Sequence, residues 1–143
     1  MNQAELRMMA EERILDAAAL ITGNRWAYAY YVAGYAVECG LKSCVLARMI
    51  YTGGVFEDKK FADRCFTHDF AELVKLAGLT DELNSSLVAS AAGSRAFVEH
   101  WTTAVQWQET ARYQQKTEGD AKALYAAITH DPDGVISWIR NYW

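Results

Sequence analysis

The sequence predicts an all-α fold: an up-and-down bundle of about five helices, forming a single domain over residues 1–143. Three observations carry this expectation. The chain has one proline, at Pro132, alanine-rich stretches recur along it, and apolar residues return at three- and four-residue steps. Proline breaks helices and alanine is the best helix former, while that spacing aligns apolar side chains on one helical face. No segment alternates as a half-buried strand does, and no internal repeat or low-complexity tract interrupts the pattern. A chain of this length lies within the usual ~100–200 residues of one domain. It can bury about 68–70% of its unfolded surface, so neither disulfide nor metal is required to hold a core.

The elements follow in order. Leu6, Ala10, Ile14, Ala17 and Ile21 form one apolar stripe, and Gly23-Asn24 ends it with residues that tolerate a left-handed backbone. The short link predicts that the next helix returns antiparallel. That second helix, Trp26 to Tyr51, is apolar on most of its circumference, which places it at the centre of the bundle or at a subunit interface. Gly34 and Gly40 inside it each cost ~1 kcal/mol against alanine, so they imply close approach of a neighbouring backbone. Gly53-Gly54 marks its end, and residues 52–66 read as a mixed-charge loop. Thr67 then caps a short helix with Asp69 and Glu72 at its positive end and the stripe Phe70, Leu73, Val74, Ala77. Thr80-Asp81-Glu82 starts another helix, which Gly93-Ser94 breaks before a further helical stretch from Arg95 towards Tyr113, carrying Phe97, Trp101, Ala104 and Val105. Residues 113–119 read as loop. Thr117 and Asp120 form a capping box for the next helix, and Asp131-Pro132 reads as N-cap and first residue of the last one.

Composition narrows the function classes. Fourteen basic and eighteen acidic residues leave a net charge of −4, which disfavours a basic grip over the whole surface though not a local patch. With 22% charged and 52% hydrophobic residues, the chain is neither disordered nor an acidic tail. No apolar run reaches ~18 residues and no signal-like apolar core follows the N-terminus, so a membrane span and secretion are not expected and the cytoplasm is. Three cysteines match no zinc or disulfide spacing, and Cys39 and Cys44, five apart in the most apolar helix, read as inert packing. There is no phosphate-binding glycine loop, zinc-protease motif or nucleophile elbow, so neither a cofactor nor a metal is expected.

The second helix carries the most unusual pattern. Tyr31, Tyr35, Glu38 and Lys42 recur every three or four residues, a polar seam along an otherwise apolar rod. Glu38 and Lys42 have the favourable order for an i,i+4 ion pair. The seam reads equally as a surface ion pair or as the lining of a ligand groove or dimer contact. The phrase Tyr31-Val-Ala-Gly34-Tyr35-Ala-Val-Glu38-Cys-Gly-Leu41-Lys42 resembles the second-helix signature of HEPN-domain proteins. Thr67-His68-Asp69-Phe70 with Leu73 resembles that family's third helix, and Trp107, Arg112-Tyr113 and the alanine-rich final helix resemble its closing third. The three matches come in the family's order and span nearly the whole chain. The resemblance implies about five helices, commonly in a homodimer. Family members include nucleotide-binding proteins, partners of small nucleotidyltransferases, and metal-independent ribonucleases of toxin–antitoxin and defence systems.

Those ribonucleases carry an arginine and a histidine with four to six residues between them, usually with a polar residue after the arginine. Arg95 and His100 match the bare spacing, but residue 96 is alanine, and on an unbroken helix positions five apart point about 140° from each other. His68 at a helix start reads as a capping, packing or ligand residue, and His130 as a helix C-terminal residue that favours the dipole. Arg112 supplies planar donors suited to phosphate and Tyr113 a stacking face. The binding candidates are therefore Tyr31, Tyr35, Glu38, Lys42, His68, Asp69, Arg112 and Tyr113, with Arg95 and His100 as the candidate catalytic pair. Trp101 and Trp107 read as core or interface. Five tryptophans, with Trp138 and Trp143 near the end beside Tyr142, are many for one small core. Some of them are expected at the surface of a monomer, which predicts a homodimer. Three functions follow: a dimeric HEPN-like module binding a nucleotide, RNA or a partner protein such as a small nucleotidyltransferase; a metal-independent ribonuclease using Arg95 and His100; and a purely structural dimer.

Overall fold

The computed structural model describes residues 1–52 and 59–143, and over them the chain is all-helical. In chain order the α-helices are α1 (Gln3–Thr22), α2 (Trp26–Tyr51), α3 (Lys59–Arg64), α4 (Phe70–Leu76), α5 (Thr80–Ala92), α6 (Ala96–Ala104), α7 (Glu118–Thr129) and α8 (Val135–Ile139). A 3-10 helix, Glu109–Tyr113, lies between α6 and α7. Among the described residues none of these helices is long and apolar enough to cross a membrane.

α1 begins at Asn2, whose side chain accepts from the Glu5 amide while Glu5 accepts from the Asn2 amide, a reciprocal cap. It ends where Asn24 takes a left-handed φ of 58° and Arg25 N–H returns to the Leu20 carbonyl at 2.8 Å. α2 then runs back along α1 and is the central rod: α4, α7, α8 and the 3-10 helix all pack on it. Its Val37 and Leu41 are fully buried with Leu73 of α4, Leu124 of α7 and Ile139 of α8, which joins these helices in one core. Arg140, after α8, clasps Glu11 of α1 with two hydrogen bonds of 2.8 and 2.6 Å.

The glycines of α2 admit side chains rather than a neighbouring backbone. A Cβ at Gly34 would overlap the five-membered ring of Trp107, and one at Gly40 would lie 3.1 Å from Ile139 Cγ2. Trp107 is 3% exposed and stacks on Phe70 with ring centroids 5.2 Å apart, so α2 is thinned at Gly34 to seat an indole.

Several local expectations are corrected. The Lys59–Arg64 helix lies within the segment read as loop, while Gly53-Gly54 fall outside the described residues. Asp69, not Thr67, is the N-cap of α4: its Oδ1 accepts from Glu72 N–H at 2.8 Å, while Thr67 Oγ1 accepts from the Asp69 amide. The stretch from Arg95 to Tyr113 is not one helix, because it turns after Ala104 and resumes as the 3-10 helix. Asp131-Pro132 forms a turn with a cis peptide bond, and the last helix is capped by Gly134. None of the five tryptophans is exposed: Trp101, Trp107 and Trp138 are buried, and Trp26 and Trp143 half-buried. Their number therefore reflects a mutually packed aromatic core, with Trp138 in tilted contact with Trp101, Phe97 and Tyr142.

Gly34→Ala tests the indole seat. Alanine gains ~1 kcal/mol of helix propensity, but overlap of this kind costs about 1–3 kcal/mol and here involves a whole ring. The expected outcome is a net loss of about 2 kcal/mol in urea unfolding, partly recovered in the double variant with Trp107→Leu. Full stability in the single variant contradicts the close packing.

Candidate functional site

The polar seam of α2 is where distant segments of the chain meet. Glu38 is 2% exposed, yet it carries a carboxylate, and a buried charge must be paired and hydrogen-bonded. Lys42, one turn later on the same helix, donates to its Oε1 at 2.7 Å. His68, in the loop that leads into α4, places Nδ1 at 2.9 and 3.0 Å from the two carboxylate oxygens. His68 Nε2 faces outward to Oε2 of Glu109, at 3.1 Å. Glu109 in turn holds Arg112 at 3.3 Å across the first turn of the 3-10 helix. The result is one chain of paired side chains, Lys42–Glu38–His68–Glu109–Arg112, that passes from a buried carboxylate to a half-exposed guanidinium.

The Nδ1 contact is a hydrogen bond to the carboxylate, whereas the Nε2 contact to Glu109 is an ion-pair distance. His68 thus bridges α2 and the 3-10 helix. In this arrangement neither of its nitrogens is open to a substrate. Arg112 is different. It has one ion pair, lies over the Tyr113 ring at 4.8 Å, and retains donors directed at solvent. Tyr113 itself is 79% exposed.

One turn before Glu38, tyrosines line the same edge of α2. Tyr31 and Tyr35 are near parallel, with centroids 6.2 Å apart, and Tyr28 lies 5.8 Å from Tyr31. Tyr31 also packs on Trp107. Burial pushes the Tyr31 phenol above its usual value, while Arg112 pulls it down and Glu109 and Glu38 push it further up. Tyr35 is likewise raised, first by burial and then by Cys39 and Glu38. These tyrosines form one wall of an open groove of about 580 Å³ between α1 and α2, with Arg13 and Arg25 also in its lining. Arg13 Nε is 2.8 Å from Asp16 Oδ2, an ion-pair distance without hydrogen-bond alignment. Arg25 is exposed and has no ion pair among the described residues.

Six of the eight sequence-derived binding candidates, Tyr31, Tyr35, Glu38, Lys42, His68 and Arg112, thus lie along this connected edge, with Tyr113 beneath Arg112. Asp69 sits beside His68 in sequence but serves as the α4 cap. Glu109, which links the two halves, was not among the candidates; its i,i+3 spacing to Arg112 is the one local signal it gives.

Arg95 and His100 are placed elsewhere. Arg95 is the N-cap of α6, with a left-handed φ of 65°, a side chain 60% exposed and Glu99 3.9 Å away. It therefore precedes the helix, so the angle between side chains on one continuous helix does not describe this pair. His100 Nδ1 is 2.8 Å from the Asp133 carbonyl, and its ring lies against that of His130, 4.8 Å between centroids. The shallow hollow beside Arg95 is lined by Val98, Glu99, Thr102 and Thr103, all from α6. Among the described residues no three His, Cys, Asp or Glu side chains converge to hold a metal ion.

Comparison with known proteins is brief. No protein-family model matches the chain, and neither a curated protein nor a solved structure matches it significantly. The site must be read from its own geometry.

Two outcomes test that geometry. Glu38→Ala removes the shared acceptor from Lys42 and His68. Loss of one partner of a fully buried pair costs ~3–5 kcal/mol, but Lys42 and His68 here can both turn to water. A cost of about 2–3 kcal/mol is expected in urea unfolding, against less than ~1 kcal/mol for Glu109→Ala at the half-exposed end. Equal effects would contradict the buried role of Glu38. The thiols provide the second test, because burial pushes Cys39 up to about 11 and Cys44 up to about 12. At pH 8 these groups are almost wholly protonated, with roughly one Cys39 in a thousand as thiolate. Iodoacetamide at pH 8 is expected to spare both until the chain is unfolded, and mass spectrometry of the peptides checks this.

Proposed function

We propose that this chain is a HEPN-like, homodimeric binding module that takes a nucleotide or a strand of RNA in the groove between α1 and α2. The observation that carries the reading is the composition of that groove: Tyr28, Tyr31 and Tyr35 on one wall, with Arg13 and Arg25 in the same lining. Bases stack on aromatic faces regardless of sequence, and arginine donors suit phosphate oxygens. Tyr28 is 57% exposed, so a ring face is available without unfolding anything. Arg112 and Tyr113, at the end of the chain of paired side chains, extend the same chemistry beyond Tyr31. The acidic net charge fits a local groove rather than a wide basic surface. A homodimer is part of the reading, supported by the apolar exposure of Ile50 and Tyr51 at the end of α2. The ribonuclease alternative draws no support from the groove, since Arg95 and His100 lie outside it.

Fluorescence anisotropy with a short labelled oligoribonucleotide, and competition by a mononucleotide, test the reading. Tyr28→Ala is expected to cost about 1–3 kcal/mol of binding, the usual loss of one base-stacking platform. Arg25→Ala is expected to flatten the slope of log affinity against log salt by about 0.7, one phosphate contact on a single strand. Failure of the native chain to bind either probe, or variants that bind like it, would end the proposal. Sedimentation at micromolar concentration tests the dimer.

A further inference from the structure

A second cavity lies on the other side of Tyr35, and its chemistry differs from that of the nucleotide groove. It measures about 560 Å³, within the ~300–1,000 Å³ of small-molecule sites, and is enclosed by α1, α2, α3 and the turn after α3. Leu6, Val45, Leu46, Met49, Ala62 and Phe66 make it apolar, and Glu38 and Lys42 stand together in its wall. Along α2 the two characters are separated. Lys42, Leu46 and Met49 follow at helical spacing, so the apolar wall runs about 10 Å along the helix beyond the Lys42 backbone, at ~1.5 Å per residue.

The charge at the polar end has a definite sign to offer. Glu38 is already bonded by Lys42 on one oxygen and by His68 on both, so its acceptors are engaged within the protein. Lys42 donates one of its three N–H bonds, to Glu38, and among the described residues no other acceptor reaches it. Its side chain is 25% exposed. Lys42 therefore brings unused donors to the cavity, as a cation held in place by a buried carboxylate. Phe66, 78% exposed in the same lining, offers an apolar rim. The cavity thiols do not compete as nucleophiles, because burial raises Cys39 and Cys65.

We propose that this cavity binds an amphipathic monocarboxylate of medium chain length, its carboxylate on Lys42 and its aliphatic tail along Leu46 and Met49. Lys42 Nζ supplies the donors, Glu38 fixes the ammonium in position, and the tail removes the apolar wall from water. A cationic head of the same tail length would meet the Lys42 ammonium instead, and a neutral alcohol would offer its remaining donors no anionic acceptor. The site is independent of the nucleotide reading, although Tyr35 borders both cavities.

Isothermal titration calorimetry of the full chain with decanoate, decanol and decylammonium tests it without altering the protein. Decanoate is expected to bind one to one with a dissociation constant of about 1–100 μM. Decanol and decylammonium are expected to bind at least about tenfold more weakly. Leu46→Trp, at a half-buried lining position, fills the tail region and is expected to remove decanoate binding while the melting curve stays cooperative. Lys42→Met is expected to bring decanoate down to the affinity of decanol. No decanoate binding by the native chain, equal binding of the three ligands, or unchanged decanoate binding in Leu46→Trp each overturns the proposal. None of these results bears on the oligoribonucleotide experiment.

Discussion

Glu38 sits in the middle of the central helix with a carboxylate almost sealed from water. An unpaired charge there would cost several kcal/mol, so the surrounding segments must supply its partners. Lys42 arrives through the helix itself, but one local cation cannot fill two oxygens. The remaining acceptor capacity reaches thirty residues along the chain to His68. That requirement fixes the loop before α4 against α2, and the outer nitrogen of the same ring holds Glu109 and thereby the 3-10 helix. A single buried carboxylate thus sets the relative position of three segments that share no regular hydrogen bonding.

Steric fit supplies the matching constraint one turn earlier. Gly34 removes a side chain so that the Trp107 indole can lie against α2, and Trp107 in turn carries Phe70 on one side and Tyr31 on the other. The residues that bring the 3-10 helix to α2 are thus apolar at Trp107 and ionic at Glu109, two positions apart. The ionic contact alone would be weak at a half-exposed site. Beside a buried indole its geometry is held by packing, which is why a partly solvated pair can still orient Arg112.

What the sequence revealed followed the range of each signal. The limits of α2 were legible because 26 mostly apolar residues without a proline have few other solutions, and Glu38 with Lys42 was legible because i,i+4 is a local rule. The candidates Tyr31, Tyr35, His68 and Arg112 could be named one by one from residue chemistry. Their connection could not, since Glu109 joins His68 across 41 positions and nothing local marks that contact. The Lys59–Arg64 helix escaped because six mixed-charge residues are too few to show a period. The tryptophans misled for a different reason. Counted as separate side chains they exceed a small core, but packed against one another and against Phe70, Phe97 and Tyr142 they bury much of each other's surface.

The edge of α2 therefore presents two unlike surfaces in sequence, aromatic with arginines towards its start and aliphatic with a lysine towards its end. Tyr35 stands between them in both linings. A ligand that fixes Tyr35 from one side alters the wall seen from the other, and any such coupling must be reciprocal: each ligand changes the other's affinity by the same factor. A second copy of the chain seated on this edge enters the same balance. On the proposed homodimer it would cover Tyr28, Ile50 and Tyr51, the exposed apolar side chains of α2. Ligand and partner would then share one surface, and each would shift the other's occupancy by mass action in proportion to its preference for the free or the paired chain.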